Sequence, residues 1–258
     1  MFRAFFRFVA QVKRKEITVC GLAPVKAQFD ADPKAIVRLF FDQPTGRKIG
    51  PICKALAQEK KVYRCVEPAE LAKVAGSIHH GGIVAVVVAG ELSAPGAGEA
   101  RKWARQREPL LILDRVGNAH NLGAIVRTAA YFGVPRIILP DDPAAALPGD
   151  AAYRVAEGGM AFIEILRVRS LPAFMRELSQ AGYDVVGAAT RGGKPEASDP
   201  AGKPIALVLG NEEHGLAPAV VGACARLVTL PGSGKVESLN VSVAAAILLW
   251  ELVVRREK

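Results

Sequence analysis

Residues 230–251 read LPGSGKVESLNVSVAAAILLWE and join the end of an apolar strand to a long apolar helix. The run Leu227–Leu230 has the length and composition of a buried strand that ends at Pro231. A Gly-Ser-Gly turn follows, and a helix is predicted from about Asn240, with Ser238 or Asn240 as its N-cap. A glycine-rich loop before a helix N-terminus leaves backbone N–H groups free to hold a polar ligand. The stretch therefore predicts an α/β unit with a ligand-binding loop, although an ordinary strand-turn-helix connection has the same pattern.

Residues 232–235, GSGK, look like the end of a nucleotide phosphate loop. That loop requires a glycine five residues before its Gly-Lys pair, and this chain has Thr229 there. It also requires Ser or Thr after the lysine, where this chain has Val236. The spacing therefore argues against a nucleoside triphosphatase.

The composition favours a basic globular protein with an anionic partner. The 258 residues are 50% hydrophobic, which is ample for one large or two small domains, and the net charge is +9. Nucleic acid is the commonest anionic partner, although a basic protein without such a partner has the same charge. No apolar run is long enough to span a bilayer, so we expect no membrane association.

The cysteine and histidine patterns predict neither a disulfide framework nor a metal site. The cysteines show no CxxC or Cys/His ligand spacing, and none of the four histidines pairs at metal-ligand spacing. We therefore expect reduced, buried thiols, a cytoplasmic location and no bound metal. The four cysteines are Cys20, Cys53, Cys65 and Cys224.

Residues 1–16, MFRAFFRFVAQVKRKE, form a basic N-terminal extension. Arg3 and Arg7 interrupt its apolar part, which argues against a secretory signal. Phe2, Phe5, Phe6 and Val9 fall at helical spacing, so a docking helix is expected. Contact with RNA or with a membrane surface, and a transit peptide, are the alternatives.

The remaining chain divides into two α/β domains. Residues 17–92 alternate short apolar strands with helical stretches, which predicts a small α/β domain. Residues 93–108 begin with SAPGAG and are predicted to be a linker. Residues 109–258 form the second domain. The linker carries four cations that indicate either a solvated helix face or contact with a phosphate backbone, namely Arg101, Lys102, Arg105 and Arg107.

In the second domain, near-continuous apolar strands alternate with helices. This pattern predicts a largely parallel sheet with both faces covered, in which ligands bind beyond the carboxyl ends of the strands. The predicted strands are Leu110–Leu113, Arg136–Leu139, Asp184–Ala189, Ile205–Leu209 and Arg226–Leu230. The predicted helices are Asn121–Phe132, Leu171–Ala181 with Ser170 as N-cap, and Asn240–Arg255. Three loops are expected at the carboxyl edge, at residues 114–121, 210–215 and 231–238.

Two of these loops carry polar residues suited to binding or catalysis. Asn121 is placed to cap the helix after the first loop. Arg127 lies near that helix N-terminus, where a cation does not offset the helix dipole, so an anionic ligand would account for it better than a surface salt bridge. The second loop carries Glu212 and Glu213, which suit either acid/base work or capping of the next helix.

The three loops together resemble the sequence motifs of the SpoU/TrmH family of RNA ribose 2′-O-methyltransferases, within the SPOUT superfamily. The matching segments are NLGAIVR with its TAAYFG tail, LVLGNEEHGL, and LPGSGKVESLNVSVA, in the family's order. The first domain resembles the family's L30-like substrate-binding domain, including His79 and His80 before a Gly-Ile-Val-Ala-Val strand. The resemblance covers nearly the whole chain after about residue 15.

The resemblance implies a trefoil knot in the second domain, S-adenosylmethionine as cofactor, RNA as partner and a homodimer with its active site near the subunit interface. It implies cofactor contacts at Leu209, Gly210, Asn211, Leu230, Gly234, Ser238 and Leu239. It implies catalytic roles for Asn121, Arg127, Glu213, Ser238 and Asn240. RNA contacts are expected at His79, His80, Arg101, Lys102 and Arg105.

The resulting hypothesis is S-adenosylmethionine-dependent methylation of a ribose 2′-hydroxyl in rRNA or tRNA, with rRNA preferred because of the separate L30-like domain. Free arginine has a pKa of roughly 12.5–13.8, so we expect Arg127 to bind phosphate and stabilise an alkoxide rather than act as a base. The rival hypothesis is a non-catalytic RNA-binding protein with the same fold. It is motivated by three departures from the family pattern, at Gly81, Glu157 and Gly232.

Overall fold

The computed structural model describes residues 16–190, 192–193 and 202–256. All of the predicted N-terminal extension except Glu16 lies outside the described residues. The described chain forms two units, each with its own sheet and core.

The small unit contains a four-stranded sheet in the order β1-β4-β2-β3. Strand β4 is antiparallel to β1 and β2, whereas β2 and β3 are parallel. Because β4 is central and covered on both faces, its sequence IVAVVV is apolar throughout. The elements are β1 (Glu16–Cys20), α1 (Leu22–Ala31), β2 (Ile36–Phe41), α2 (Gln43–Gly46), α3 (Gly50–Gln58), β3 (Val62–Cys65), α4 (Pro68–Ala75) and β4 (Ile83–Val88).

The large unit contains a six-stranded sheet in the order β10-β8-β9-β5-β6-β7, and all of its pairings are parallel. The predicted α/β class and parallel sheet are therefore confirmed. The strands are β5 (Leu110–Asp114), β6 (Arg136–Pro140), β7 (Glu164–Val168), β8 (Asp184–Ala188), β9 (Ile205–Gly210) and β10 (Arg226–Val228). The helices are α5 (Glu99–Arg105), α6 (Ala119–Tyr131), α7 (Asp150–Ala156), α8 (Leu171–Ala181), α9 (Pro218–Val221) and α10 (Val241–Leu252).

Helices cover both faces of the large sheet. Helices α6 and α10 pack on one face, where Ile125, Leu249 and Leu252 are buried. Helices α5 and α8 pack on the other face, around Trp103 and Met175. The trefoil knot implied by the resemblance stays a prediction. In the part of the chain that the structure describes, no helix is long and apolar enough to cross a membrane.

Strand β7 and helix α7 were not predicted. In the described part of the chain, strand β7 lies at the edge of the sheet beside β6. Glu164, Ile165 and Arg167 are exposed or half-buried, so the sequence EILRV lacks a continuous apolar run. Helix α7 has only seven residues, and much of it is alanine packed against α6. Both elements therefore depend on tertiary contacts rather than on a strong local pattern.

The segment predicted as a flexible linker is partly structured. Residues 99–105 form α5, and Trp103 on that helix is fully buried in the core of the large unit. The guanidinium of Arg136 lies 4.7 Å from the centre of the Trp103 ring. Upstream, the carbonyl of Ser93 accepts a hydrogen bond of 2.9 Å from the backbone N–H of Arg167 in β7. The segment is thus attached to the large unit at both of these points.

Two other expectations need correction. Helix α10 was predicted to be buried, but Val243, Ile247 and Trp250 on its outer side remain 38% to 47% exposed. Cys65 is exposed rather than buried, because it lies on the edge strand β3. Burial, together with the nearby Asp114 carboxylate, raises the pKa of Cys224 to about 11.

Candidate active site at the carboxyl edge of the large sheet

Three loops meet at the carboxyl edge of the large sheet, because β5, β9 and β10 run in the same direction. The buried carboxylate of Asp114, at the end of β5, joins the first two loops. It accepts hydrogen bonds from the backbone N–H of Ala217 at 2.7 Å and from the Nε of Arg115 at 2.8 Å. The side-chain amide of Asn211 adds a hydrogen bond of 2.8 Å to the carbonyl of Arg115. The first two loops are therefore held together at the base of the site.

Asn121 connects all three loops through its side-chain amide. Its Nδ2 donates to the Oε1 of Glu212 at 2.8 Å, and its Oδ1 accepts from the Nδ2 of Asn240 at 3.1 Å. Asn121 is free for these contacts because it is not the helix cap, which corrects the prediction. Helix α6 begins two residues earlier than predicted, and Asn118 accepts the capping bonds from the N–H groups of His120 and Asn121.

Asn240 has a second role as the N-cap of α10, one of the two residues predicted for it. Its Oδ1 accepts hydrogen bonds from the backbone N–H of Ser242 at 2.9 Å and from the Ser242 hydroxyl at 2.6 Å. The same side chain therefore starts the last helix with its oxygen and binds the first loop with its nitrogen. Ser170, likewise, caps α8 as predicted.

Glu212, and not Glu213, joins this network. Besides the Asn121 amide, the Glu212 carboxylate accepts from the backbone N–H groups of Gly117 at 3.2 Å and Asn118 at 3.4 Å. Burial raises the pKa of Glu212, but these hydrogen bonds outweigh it, so the pKa lies below its ordinary value. The side chain of Glu213 is 84% exposed, and its carboxylate lies 4.0 Å from His214. The family resemblance implied a role for Glu213, whereas the residues by themselves did not distinguish the two glutamates. The identity of the bonded carboxylate depends on how the turn after Asn211 folds.

A cleft of about 700 Å³ opens between the second and third loops. Its wall includes six of the seven residues predicted to contact the cofactor, namely Leu209, Gly210, Asn211, Leu230, Ser238 and Leu239. Gly234 is the exception and does not line the cleft. Among the predicted catalytic residues, Glu213, Ser238 and Asn240 line the cleft, whereas Asn121 and Arg127 do not.

The cleft fits S-adenosylmethionine in size and in chemistry. Its volume lies within the range of about 300–1,000 Å³ typical of small-molecule sites. Apolar side chains such as Val236, Leu239 and Leu248 suit the flat adenine ring, and the surrounding loop backbone offers polar groups to the ribose and amino acid portions. Gly210 is required by the loop itself, since a Cβ there would lie 2.4 Å from the carbonyl carbon of Gly215.

Arg127 projects from α6 into solvent outside the cleft. It lies six residues, or about 9 Å along the helix axis, after Asn121. Within residues 16–190, 192–193 and 202–256, its guanidinium makes no hydrogen bond or ion pair. Its backbone is tightly covered, because a Cβ on Gly159 would lie 3.2 Å from the Arg127 Cα. The Arg127 side chain is therefore exposed to solvent, while its backbone is closely packed against the turn at Gly159.

The residues predicted to contact RNA lie away from the cleft. Arg101, Lys102 and Arg105 are exposed on α5, which packs on the sheet face opposite α6 and α10. His79 and His80 lie in the turn between α4 and β4 of the small unit. The described residues contain no group of three or more His, Cys, Asp or Glu side chains that could hold a metal ion.

Comparisons with known proteins match both units. The SpoU rRNA methylase family matches residues 108–250, and the RNA 2′-O ribose methyltransferase substrate-binding domain matches residues 18–92. The chain is 33% identical to an uncharacterized tRNA/rRNA methyltransferase, YfiF, of Escherichia coli O157:H7, over 93% of this chain and 68% of the relative. It is 34% identical to the 23S rRNA (guanosine-2′-O-)-methyltransferase RlmB of Bordetella pertussis, over 93% of this chain and 97% of the relative.

Among solved structures, the chain is similar to the AdoMet-bound rRNA methyltransferase from Sinorhizobium meliloti. The TM-score is 0.76 and the identity 25%, over 94% of this chain and 87% of that one. The matched residues include all three loops that form the cleft and the whole small sheet except Glu16 and Ile17. The chain therefore belongs to the SpoU family of RNA methylases, and its small unit is that family's substrate-binding domain.

Proposed function

We propose that this chain methylates the ribose 2′-hydroxyl of a guanosine in 23S rRNA. Its activity class, S-adenosylmethionine-dependent 2′-O-methylation of rRNA or tRNA, follows from its family. The choice of rRNA, and of guanosine, is supported by the Bordetella pertussis relative, which matches along 97% of its own length and so shares both units. A cytoplasmic location agrees with such a substrate.

The observation that carries the proposal is the hydrogen-bond chain from Glu212 through Asn121 to Asn240, beside a cleft of cofactor size. These hydrogen bonds fix helix α6, the second loop and the start of helix α10 relative to one another. S-adenosylmethionine supplies an electrophilic methyl group on a positively charged sulfur. The protein's contribution is to hold the reacting groups in line, and such positioning accounts for about 7–11 kcal/mol of barrier lowering in well-oriented reactions.

We propose that Arg127 contacts the RNA rather than the cofactor, since it does not line the cleft. A guanidinium binds phosphate oxygens in a bidentate manner and rarely releases its proton, so Arg127 suits a phosphate beside the target ribose and the developing negative charge on the 2′-oxygen. Ser238 and Asn240 are assigned the orientation of the ribose, which their position on the cleft wall supports. Glu212 and Glu213 both line the cleft, but the Glu212 carboxylate is bonded to Asn121, so Glu213 keeps its predicted catalytic role as a proposal and Glu212 is assigned the positioning of Asn121.

We also propose that the protein acts as a homodimer that uses the outer face of α6 and α10. Tyr131 on α6 is 84% exposed, and Trp250 on α10 is 44% exposed, with Phe132 between them at 6.2 Å from the Trp250 ring. Clustered exposed aromatic side chains are characteristic of protein interfaces. Because Arg127 lies on α6 but outside its own chain's cleft, a partner at this face would bring a second cleft towards it.

The decisive experiment supplies tritium-labelled S-adenosylmethionine to the purified protein with separate pools of unmodified 23S rRNA and tRNA. Label in the rRNA pool, lost in Arg127→Ala, is the expected result. Label in tRNA alone would contradict the substrate assignment. RNA binding without label in either pool would favour the non-catalytic RNA-binding protein.

A further inference from the structure

The small and large units meet along a defined contact. Helix α1 and strand β1 of the small unit pack against α7 and the following 3₁₀ turn, Gly159–Ala161, of the large unit. Helix α7 and this turn pack in turn against α6, the helix that carries Arg127. The segment Asp150–Ala161, which we term the bridge, therefore lies between the substrate-binding domain and helix α6.

A carboxylate anchors one end of the bridge to the small unit. The Oδ1 of Asp150 accepts hydrogen bonds from the backbone N–H of Thr18 at 2.7 Å and from the Thr18 hydroxyl at 2.9 Å. Among the described residues β1 is an edge strand that pairs with β4 alone, so the Thr18 N–H points away from the sheet and is available for this contact. A charged acceptor with two donors is a directional attachment, unlike a simple apolar contact.

Two adjacent glycines form the other end of the bridge. A Cβ on Gly158 would lie 3.2 Å from the Cα of Pro24, in the first turn of α1. A Cβ on Gly159 would lie 3.2 Å from the Cα of Arg127. Both distances are shorter than ordinary carbon–carbon contacts. At this point the backbones of α1 and α6 are therefore separated only by Gly158 and Gly159, which have no side chains.

The start of α1 is joined equally closely to the turn that carries His79 and His80. The backbone N–H of Gly21 donates to the carbonyl of His80 at 3.1 Å, and a Cβ on Gly81 would lie 3.2 Å from the Gly21 Cα. A continuous series of backbone contacts thus leads from the histidine turn to Gly21 and Pro24, and across the bridge to Arg127.

We propose that the bridge holds the histidine turn and Arg127 at one fixed separation, with Asp150, Gly158 and Gly159 as positioning residues that select the RNA substrate. The proposal rests on the proposed function, in which RNA contacts both the small unit and Arg127. An RNA that spans both points binds well only if its own geometry matches that separation. The bridge then determines which folded RNA places a ribose at the cleft, without itself touching the reacting atoms.

The departure from the family pattern at Glu157 is compatible with this role. Glu157 has a left-handed backbone with φ 51, and its side chain is exposed rather than inserted into the contact. The two glycines that follow it are the residues on which the contact depends.

The first test compares Gly158→Ala with Gly182→Ala. Both glycines have positive φ, 90 and 107, so alanine strains the backbone at both sites. A Cβ at Gly182, at the end of α8, meets no atom within 4 Å, whereas a Cβ at Gly158 presses on Pro24. Both variants should lose stability through backbone strain, Gly158→Ala the more because its Cβ also presses on Pro24, and both should bind S-adenosylmethionine with unchanged Kd. Only Gly158→Ala should lower kcat/KM for the 23S rRNA fragment, by about tenfold. A misplacement of about 1 Å can cost about 100-fold, and the contact with Pro24 requires a shift of only a few tenths of an ångström. Equal kcat/KM values in the two variants would overturn the proposal.

The second test measures RNA binding without turnover. Thr18→Val removes the hydroxyl donor to Asp150 and keeps the backbone N–H, and Asp150→Ala removes the acceptor for both bonds. Affinity for the 23S rRNA fragment should fall in the order wild type, Thr18→Val, Asp150→Ala, and deuterium exchange at the Thr18 amide should rise in Asp150→Ala. Unchanged RNA affinity in both variants would overturn the proposal even if the wild type methylates RNA. A wild type that binds RNA but transfers no methyl group would contradict only the proposed function.

Discussion

The Nδ2 of Asn240 donates a hydrogen bond of 3.1 Å to the Oδ1 of Asn121, which lies 119 residues earlier in the chain. Because the Nδ2 of Asn121 already donates to Glu212, the Asn121 amide has only one orientation that satisfies both neighbours. The hydrogen bond therefore fixes the start of the last helix against the first loop and the second loop together.

Replacing Asn240 by Asp should keep the cap of helix α10 and remove the hydrogen bond to Asn121. The carboxylate still accepts from Ser242, so the helix cap is kept and urea unfolding should show only the loss of the hydrogen bond to Asn121, about 1 kcal/mol. In either orientation of the Asn121 amide, its carbonyl oxygen would then face a carboxylate, that of the new Asp or that of Glu212. The second loop and the start of α10 would separate, and because both line the cleft, affinity for S-adenosylmethionine should fall. Asn240→Ala should in addition lose about 1 kcal/mol of stability through the missing cap. Wild-type cofactor affinity in Asn240→Asp, measured by titration calorimetry, would contradict the coupling.

Glu212→Gln and Glu213→Gln form a pair of neighbouring isosteric changes with different expected outcomes. Glu212 accepts three hydrogen bonds from the first loop, so its loss of charge should lower the free energy of unfolding by about 1 kcal/mol. The Glu213 side chain is 84% exposed, so its replacement should leave stability unchanged. Urea denaturation of both variants provides the comparison, and equal destabilisation would show that the two carboxylates have been assigned wrongly. Methyl transfer by Glu213→Gln then tests its catalytic role separately.

The lowered pKa of Glu212 predicts a specific loss of stability in acid. Its folded-state pKa lies below its unfolded value of about 4.3, so its contribution is fully present above that pH and is lost as the pH falls through the folded-state pKa. The difference in unfolding free energy between the wild type and Glu212→Gln should therefore be constant near neutral pH and shrink below about pH 4.3. If the difference in unfolding free energy between the wild type and Glu212→Gln increased towards acid pH, the pKa of Glu212 would be raised by folding rather than lowered, and the prediction would be wrong.

Arg127→Ala should abolish methyl transfer and leave cofactor affinity nearly intact, because Arg127 does not line the cleft. Arg176→Ala is a suitable control, since Arg176 is also exposed but lies on α8, which packs on the opposite face of the sheet. Both changes remove one positive charge, so a general electrostatic effect on RNA binding would appear in both. Arg127→Ala with wild-type turnover would rule out the assigned role.

Gly210→Ala should disrupt the second loop, whereas Gly50→Ala should not disturb the small unit. The new Cβ at Gly210 would lie 2.4 Å from Gly215, and overpacking of this kind costs about 1–3 kcal/mol. A Cβ at Gly50, in the first turn of α3, meets no atom within 4 Å, and alanine there should raise stability slightly. Thermal unfolding and cofactor binding would check both, with loss of cofactor binding expected only for Gly210→Ala.

Local sequence pattern was sufficient to predict those strands and helix caps that depend mainly on their own residues. Strand β4 and the inner strands of the large sheet are continuous apolar runs, because both of their faces are covered, and they were predicted almost to their ends. The caps Ser170 and Asn240 were recognised because a short polar side chain directly before an apolar helix is typical of an N-cap. The cofactor loops were recognised because three motifs occur in one order at predicted strand ends.

Only the tertiary structure decided how distant residues are paired. Whether Glu212 or Glu213 binds Asn121 depends on the turn after Asn211, and neither residue differs from the other in local pattern. Trp103 is buried in a segment with the composition of a linker, because its partners lie on α8 and the sheet rather than beside it in sequence. The bridge between Pro24 and Arg127 could not be predicted for the same reason. A glycine in the sequence shows that another segment can approach closely, but it does not show which segment does so. The sequence by itself thus determined the elements and the chemistry at the strand ends, while packing between remote segments decided the contacts that hold them in register.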